Sequence, residues 1–216
     1  MNKYLRILFS CLLALCLVTG CEDDDSNTPK ETPHDFGDNN QDLFVAIGDS
    51  ITHGYGLSGS QSYPVQLSAM LAKTVINEGR DGERSDSGSA RISGVLRNRK
   101  PGYILILYGA NDIIHDYSSS HILNNLRSMV QAAKNNKTIP IIGTLTPGIW
   151  GHSYMEGGLD RLNPLIRQMA AEEGVSVADL DAAFNWDGSY MLSDGLHPNY
   201  SGQNLIATTF YNVITQ

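Results

Sequence analysis

The sequence contains few cysteines, and none lies in the part of the chain whose composition predicts a folded core. All three, Cys11, Cys16 and Cys21, fall within the first 21 of the 216 residues, so a folded domain after them has no disulfide. Basic clusters are also absent, and the formal net charge is −8. Nucleic acid is therefore excluded as an expected partner, because phosphate binding needs a positive surface. No His-Glu-x-x-His motif or similar ligand spacing is present, so we expect neither a metal nor another cofactor.

Long hydrophobic runs are missing too, since no apolar stretch reaches the roughly 20 residues of a membrane span. The longest, residues 7–18, follows two basic residues and precedes Thr19-Gly20-Cys21, which is the order of an export signal. Residues 18–21 resemble a bacterial lipobox. We therefore expect residues 1–20 to be a lipoprotein signal peptide and Cys21 to be lipidated, which would anchor an exported protein to a membrane of the cell envelope. The alternative is an ordinary signal peptide with a chance cysteine.

The segment after Cys21 is polar and rich in Asp, Asn, Thr and Pro, a composition that buries too little apolar surface to fold. We expect residues 21–41 to form a flexible acidic tether, and residues 42–216 to form one domain. The acidic run at residues 22–25 resembles the export signals of some surface lipoproteins. The alternative is a charge run that only keeps the tether solvated. The expected membrane contact is through the lipid alone.

The remaining chain alternates short β-rich apolar runs with longer helical patterns. The predicted strands are residues 43–47, 75–76, 103–108, 139–143 and 175–178. The predicted helices are residues 63–73, 90–99, 121–135, 159–173 and 201–215. Such alternation indicates βαβ units, so we expect a three-layer α/β/α sandwich around a central, mostly parallel five-stranded sheet. In sheets of this kind, ligands bind outside the carboxyl ends of the strands.

Four polar stretches lie at the predicted strand ends or near the end of the chain. They are Gly-Asp-Ser-Ile-Thr at residues 48–52, Asn-Glu-Gly-Arg-Asp-Gly-Glu at 77–83, Gly-Ala-Asn-Asp at 109–112 and Asp-Gly-Leu-His-Pro at 194–198. Each alone fits an ordinary turn. In this order and at these positions, they resemble the conserved blocks of the SGNH, or GDSL-type, hydrolases. The resemblance covers residues 43–216 and implies the flavodoxin-like SGNH hydrolase fold.

The resemblance also implies a serine ester hydrolase and assigns a role to each matching residue. Ser50 would be the nucleophile, His197 the general base and Asp194 the carboxylate that orients the base. The backbone N–H groups of Ser50 and Gly82 and the side-chain amide of Asn111 would form the oxyanion hole. The chain lacks the Gly-x-Ser-x-Gly elbow, which argues against an α/β-hydrolase proper.

The sequence indicates the type of reaction more clearly than it indicates the substrate. The stretches at residues 48–52 and 54–57 and the Tyr63-Pro64 pair resemble the arylesterase and thioesterase branch of the family, which favours short or medium acyl groups. An envelope lipoprotein fits equally well with removal of acetyl groups from glycans, and lysophospholipids and acyl thioesters remain alternatives. A non-catalytic binding module is disfavoured because the full catalytic set is present. We expect a small-molecule or glycan ester as substrate and a monomeric protein.

Candidate substrate contacts lie beside the nucleophile and in the loop after the fourth strand. Asp49 is adjacent to Ser50, and His53 is close enough to line the same pocket. Trp150 and Tyr154 belong to the loop at residues 145–155, which we expect to form one wall of the cleft. The alternative for these two aromatic residues is that they only pack the loop onto the domain.

Overall fold

The computed structural model describes residues 33–216 and has a five-stranded sheet in which every strand is parallel to its neighbours. The strands are β1 Asn40–Gly48, β2 Thr74–Gly79, β3 Pro101–Leu107, β4 Ile139–Gly143 and β5 Ser176–Ala178. Their spatial order is β2-β1-β3-β4-β5. The α/β fold and all five predicted strands are confirmed.

The helices of the described residues include each of the five predicted ones and three short ones that the periodicity does not reveal. They are α1 Ser50–His53, α2 Tyr63–Leu71, α3 Ser85–Arg99, α4 Ala110–Ile114, α5 Ser119–Asn135, α6 Glu156–Glu173, α7 Leu180–Phe184 and α8 Tyr200–Ile214. Helix α3 begins five residues before its predicted start. Its first turn is polar, but the carboxylate of Asp112 accepts hydrogen bonds from the backbone N–H and the hydroxyl of Ser85. This capping residue is distant in sequence, so local patterning could not indicate it.

The strand order places the helices in two layers. The connection from β1 to β2 contains α2, and the connection from β2 back past β1 to β3 contains α3. Because crossovers between parallel strands are right-handed and these two run in opposite directions, α2 and α3 lie on opposite faces of the sheet. Helices α3, α5 and α6 pack side by side, and α2 packs with α8. The order reverses between β1 and β3, and their carboxyl ends form the crevice where such sheets bind ligands. Ser50 and Asn111 lie in the short helices α1 and α4, which follow these two strands.

Burial on both faces of the sheet explains why its central strands are continuously apolar. The side chains of residues 45–47 in β1 and 104–106 in β3 are fully buried. Burial of this surface supplies the main stabilisation of the fold. The central strands are therefore a rigid base for the loops at their carboxyl ends.

The folded domain begins earlier than the predicted tether boundary at Gln41. Strand β1 starts at Asn40, and the side-chain amide of Asn39 donates to the carbonyl of Asn136 at 2.6 Å. The Phe36 ring lies 5.7 Å from the Tyr103 ring. These contacts are long-range, so the polar composition alone did not reveal them. The expected signal peptide, Cys21 and most of the tether lie outside the described residues, and none of the helices in residues 33–216 is long and apolar enough to cross a bilayer.

Candidate active site

Ser50 lies at the sharp turn that joins β1 to α1. A Cβ atom at Gly48 would come within 2.0 Å of the Thr52 hydroxyl oxygen, so only glycine fits at the end of the strand. Asp49 caps α1, because its carboxylate accepts the backbone N–H of Ile51 at 2.9 Å. The turn thus presents the Ser50 hydroxyl at the carboxyl edge of the sheet.

The loop before α8 brings a histidine and a carboxylate to the Ser50 hydroxyl. Nε2 of His197 lies 2.9 Å from Oγ of Ser50, and Nδ1 of His197 lies 2.6 Å from Oδ2 of Asp194. A Cβ atom at Gly195 would lie 2.0 Å from the Ile149 carbonyl oxygen, so this tight loop also requires glycine. The structure therefore brings the predicted Ser50, His197 and Asp194 into one chain of hydrogen bonds.

The surroundings of Asp194 favour its ionised form. Burial favours protonation, but the hydrogen bonds from the backbone and ring of His197 and from the backbone N–H of Leu196 outweigh it, and the pKa of Asp194 falls below its ordinary value. An ionised Asp194 holds the proton of the imidazole on Nδ1. Nε2 is then free to accept the proton of the Ser50 hydroxyl.

Asn111 lies in α4, directly after β3, between the two other segments expected to stabilise an oxyanion. Its Nδ2 is 3.3 Å from Oδ2 of Asp49, which precedes Ser50, and 3.2 Å from the carbonyl oxygen of Glu83, which follows Gly82. Both contacts are near the long limit of a hydrogen bond, so an incoming oxyanion can compete for one amide hydrogen. Gly82 has a φ of +71°, and within residues 33–216 the N–H groups of Gly82 and Ser50 donate to no protein acceptor.

Contact of Asp49 with substrate remains a prediction, and the structure places this side chain inside the protein. Its side chain is only 2% exposed and is directed at Ile51 and Asn111 inside the protein. Burial raises the pKa of Asp49 to about 7, although hydrogen bonds from Ile51 and Asn111 partly oppose this shift. The residue therefore organises the turn and the Asn111 amide. The sequence could not show which way the side chain points.

The predicted wall of the cleft is tied directly to the loop that carries Asp194. The backbone N–H of Ile149 donates to the Gly195 carbonyl at 2.8 Å, and Nδ1 of His152 lies 2.8 Å from the Asp194 carbonyl oxygen. Trp150 and Tyr154 belong to a 3₁₀ turn at Trp150–Met155 and are 57% and 63% exposed. Contact of these two residues with substrate remains a prediction.

Two aromatic side chains near the catalytic groups make contacts that the sequence does not indicate. The ring of Tyr55 lies 4.5 Å from the ring of His197. His53, expected to line the pocket, instead contacts Asp81 beside Gly82, with Nδ1 2.7 Å from Oδ1. Tyr55 does fall within a stretch that resembles the family pattern, but that pattern gives no indication of a contact between the two rings. Within residues 33–216, no three His, Cys, Asp or Glu side chains form a group that could hold a metal ion.

A serine, a histidine and a carboxylate linked in this order are the arrangement that serine hydrolases use. Residues 46–205 match the GDSL-like lipase/acylhydrolase family, and the chain belongs to that family. The matched range contains every residue of the site described above. The protein is thus a carboxylic ester hydrolase of the GDSL type.

Three known proteins illustrate the range of this similarity. The chain is 27% identical over 170 residues to thioesterase 1/protease 1/lysophospholipase L1 of Escherichia coli K12, an alignment that covers 77% of this chain and 80% of the relative. It is 27% identical over 171 residues to an arylesterase of Vibrio mimicus, with 76% and 83% covered. Its fold is similar to that of an acetylxylan esterase from Geobacillus stearothermophilus, with a TM-score of 0.70, 22% identity, and 81% and 94% of the two chains covered.

Proposed function

We propose that this ester hydrolase acts through an acyl-enzyme on Ser50, with His197 as general base and Asp194 as the carboxylate that orients the base. The observation that carries the proposal is the pair of contacts on either side of the His197 ring, 2.9 Å to the Ser50 hydroxyl and 2.6 Å to Asp194. A serine hydroxyl is a poor nucleophile at neutral pH and needs a base within hydrogen-bond reach. A binding module has no need of this arrangement.

The reaction proceeds in two similar halves. The Ser50 oxygen attacks the ester carbonyl carbon as its proton passes to Nε2 of His197, and the resulting oxyanion accepts hydrogen bonds from the N–H groups of Ser50 and Gly82 and from the Asn111 amide. Collapse of this intermediate breaks the ester bond, and the departing alcohol takes the proton from His197. Water then attacks the acyl-enzyme and gives its proton to His197, which returns a proton to the Ser50 oxygen as the acid is released.

As substrates we propose esters of short or medium acyl groups, or acetyl groups on glycans. The exposed rings of Tyr55, Trp150 and Tyr154 lie on segments that contact His197 or Asp194, and such rings suit an aryl or sugar group. The similar Vibrio protein is an arylesterase. A second candidate is hydrolysis of acyl thioesters or lysophospholipids, which the name of the Escherichia coli relative favours.

A hydrolysis assay with a matched variant tests the catalytic proposal. The wild type is offered aryl esters from acetyl to long acyl, acetylated xylo-oligosaccharides, an acyl thioester and a lysophospholipid. Replacement of Ser50 by Ala should lower kcat by roughly 10⁴-fold or more on whichever ester is cleaved. Its circular dichroism spectrum and Tm should stay close to wild type, because the hydroxyl contributes little packing. A folded Ser50→Ala protein with most of its activity would overturn the proposal.

We also propose that the enzyme is exported and held at a membrane by lipid on Cys21, as the signal and lipobox pattern indicate. Acylation by more than one chain gives stable anchoring, since each buried CH₂ contributes about 0.8 kcal/mol. The polar segment after Cys21, expected to be a flexible tether, would hold the catalytic domain clear of the lipid headgroups. Replacement of Cys21 by Ser should abolish lipid labelling and membrane fractionation. A Cys21→Ser protein that still sediments with membranes in high salt would contradict the anchor.

A further inference from the structure

A nearly buried carboxylate lies directly behind the loop that carries Gly82. Both oxygens of Glu83 accept hydrogen bonds at 2.9 Å from Nε of Arg91, and Oε2 also accepts from Nη2 of Arg91 at 2.6 Å. The Tyr108 hydroxyl donates to the same oxygen at 2.5 Å. The Glu83 and Arg91 side chains are only 9% and 12% exposed. Hydrogen bonds between charged groups at such low exposure are among the strongest in proteins and leave little freedom of position.

Arg91 holds both ends of the loop between β2 and α3. Its Nη2 donates to the carbonyl of Glu78 at 2.6 Å, near the end of β2, while the same guanidinium binds the Glu83 side chain at the other end. The backbone N–H of Arg80 donates to the Gly48 carbonyl at 3.0 Å, which ties the middle of the loop to the turn before Ser50. Gly82 therefore lies in a loop that is fixed at three points.

The same network also reaches Asn111. The Glu83 carbonyl accepts the Asn111 amide at 3.2 Å, so the position of the Glu83 backbone determines where this amide points. Tyr108 precedes Asn111 by three residues in the chain. Burial, together with the hydrogen bond to Glu83, raises the pKa of Tyr108 well above its ordinary value, so its hydroxyl remains a donor. One carboxylate thus connects the segments that carry two of the three expected oxyanion donors.

We propose that Glu83, Arg91 and Tyr108 are positioning residues that hold the Gly82 N–H and the Asn111 amide in place for the oxyanion. This inference rests on the proposed function, because it concerns the geometry of that oxyanion hole. Oxyanion donors act through preorganisation, and a misplacement of about 1 Å costs on the order of 10²-fold in rate. The network acts through the loop backbone and contacts no reacting atom.

Glu173 offers a matched control near the amino-terminal ends of the strands, opposite the end that carries Ser50. The Glu173 side chain is also 9% exposed, and its Oε1 accepts a hydrogen bond from Nη1 of Arg127 at 2.6 Å. It lies at the carboxyl end of α6, and helices of a parallel α/β sheet run opposite to the strands. Replacement of Glu173 by Gln therefore removes a similar charge far from Ser50.

The test compares Glu83→Gln with Glu173→Gln in the full chain, on the aryl ester that the wild type cleaves best. Glu83→Gln should lower kcat by roughly tenfold to 10²-fold with KM nearly unchanged, and Glu173→Gln should change neither. In an Asn111→Ala background the loss of kcat caused by Glu83→Gln should become clearly smaller, because one positioned donor is already gone. An equal factor in both backgrounds, or a folded Glu83→Gln protein within about twofold of wild-type kcat, would overturn the inference.

Two further measurements keep the test decisive. If Glu83→Gln fails to fold, Tyr108→Phe removes only one hydrogen bond, and a several-fold loss of kcat is expected from it. Unchanged kcat in Tyr108→Phe would then overturn the inference. If the wild type cleaves no ester, the proposed function fails. The positioning role can then be tested without activity, by the side-chain amide signal of Asn111 in NMR spectra. That signal, identified by its loss in Asn111→Ala, should shift in Glu83→Gln and stay in place in Glu173→Gln; an unshifted signal in Glu83→Gln would contradict the positioning role.

Discussion

Glu83 and Glu173 form similar arginine pairs at opposite edges of the sheet. Each side chain is 9% exposed and accepts a 2.6 Å hydrogen bond from an arginine. The Glu173 pair joins α6 to α5, and its loss would change only how two helices pack. The Glu83 pair fixes the loop that carries Gly82, whose backbone N–H is an oxyanion donor in the proposed mechanism. If the proposal is correct, two ion pairs of similar geometry differ in function because they hold different parts of the backbone.

Buried polar side chains are also distributed unequally between the carboxyl ends and the amino ends of the strands. Among residues 33–216 the buried polar or charged residues are Asp49, Ser50, Thr52, Ser62, Ser85, Asp112, Thr138, Thr144, Thr146, Asn163 and Gln203. All except Thr138 belong to segments that follow, or bond to, the carboxyl ends of strands. Burial of a polar group costs free energy unless its hydrogen bonds are satisfied. None of these side chains is among the buried groups without a partner in residues 33–216, so their hydrogen bonds can fix the loops at the carboxyl ends of the strands.

Outside the triad of Ser50, His197 and Asp194, replacement of Asn111 by Ala should cause the largest loss of activity. The amide is expected to donate to the oxyanion only as negative charge develops, so kcat should fall by roughly 10²–10³-fold with little change in KM. Steady-state kinetics on the best aryl ester measure both constants. A rise in KM at constant kcat would show instead that Asn111 binds the ground-state substrate.

Asp49→Asn should change how stability depends on pH. Burial raises the pKa of Asp49 to about 7 in the folded state, from an ordinary value of 3.8. The folded protein thus retains a proton that the unfolded chain releases, so this contribution to stability is complete below the ordinary value and is lost as the pH rises through about 7. The Tm of Asp49→Asn, relative to wild type, should rise between pH 5 and pH 8. A difference in Tm that does not vary with pH would contradict the raised pKa.

The sequence predicted what depends on local patterning and missed what depends on distant contacts. Apolar runs gave the five strands, and the motifs gave Ser50, Asp194 and His197 before their distances were known. The early start of α3 depends on Asp112, which lies 27 residues beyond Ser85 in sequence. The Glu83 network joins three elements in the same way. The hydrophobic periodicity of the sequence does not indicate such pairs, because each partner alone resembles a solvent-exposed polar residue.

His53→Ala should have a small effect although His53 lies close to the site. Its ring contacts Asp81, next to Gly82, but the two side chains are 57% and 48% exposed. Exposed pairs of this kind are weakened by solvent and salt, so we expect less than about a fivefold loss of kcat. Asp81→Asn is the matched change on the other partner and should give a loss of similar size. A loss approaching that of Asn111→Ala would give His53 a direct role in the reaction.

Glu173→Gln should leave kcat unchanged and affect stability alone. The carboxylate binds Arg127 and Gln131, and the Lys134 ammonium group donates to the backbone carbonyl of Glu173, so all three partners lie on α5. Loss of the charge at a nearly buried site should lower the Tm by a few degrees for a domain of this size. Glu172→Gln is the matched control: Glu172 binds the same arginine, but its side chain is 46% exposed, so its Tm should change less. Both variants should keep the wild-type kcat and KM. A reduced kcat in Glu173→Gln would mean that packing between α5 and α6 is coupled to the oxyanion loop, and the contrast between the two glutamates would no longer hold.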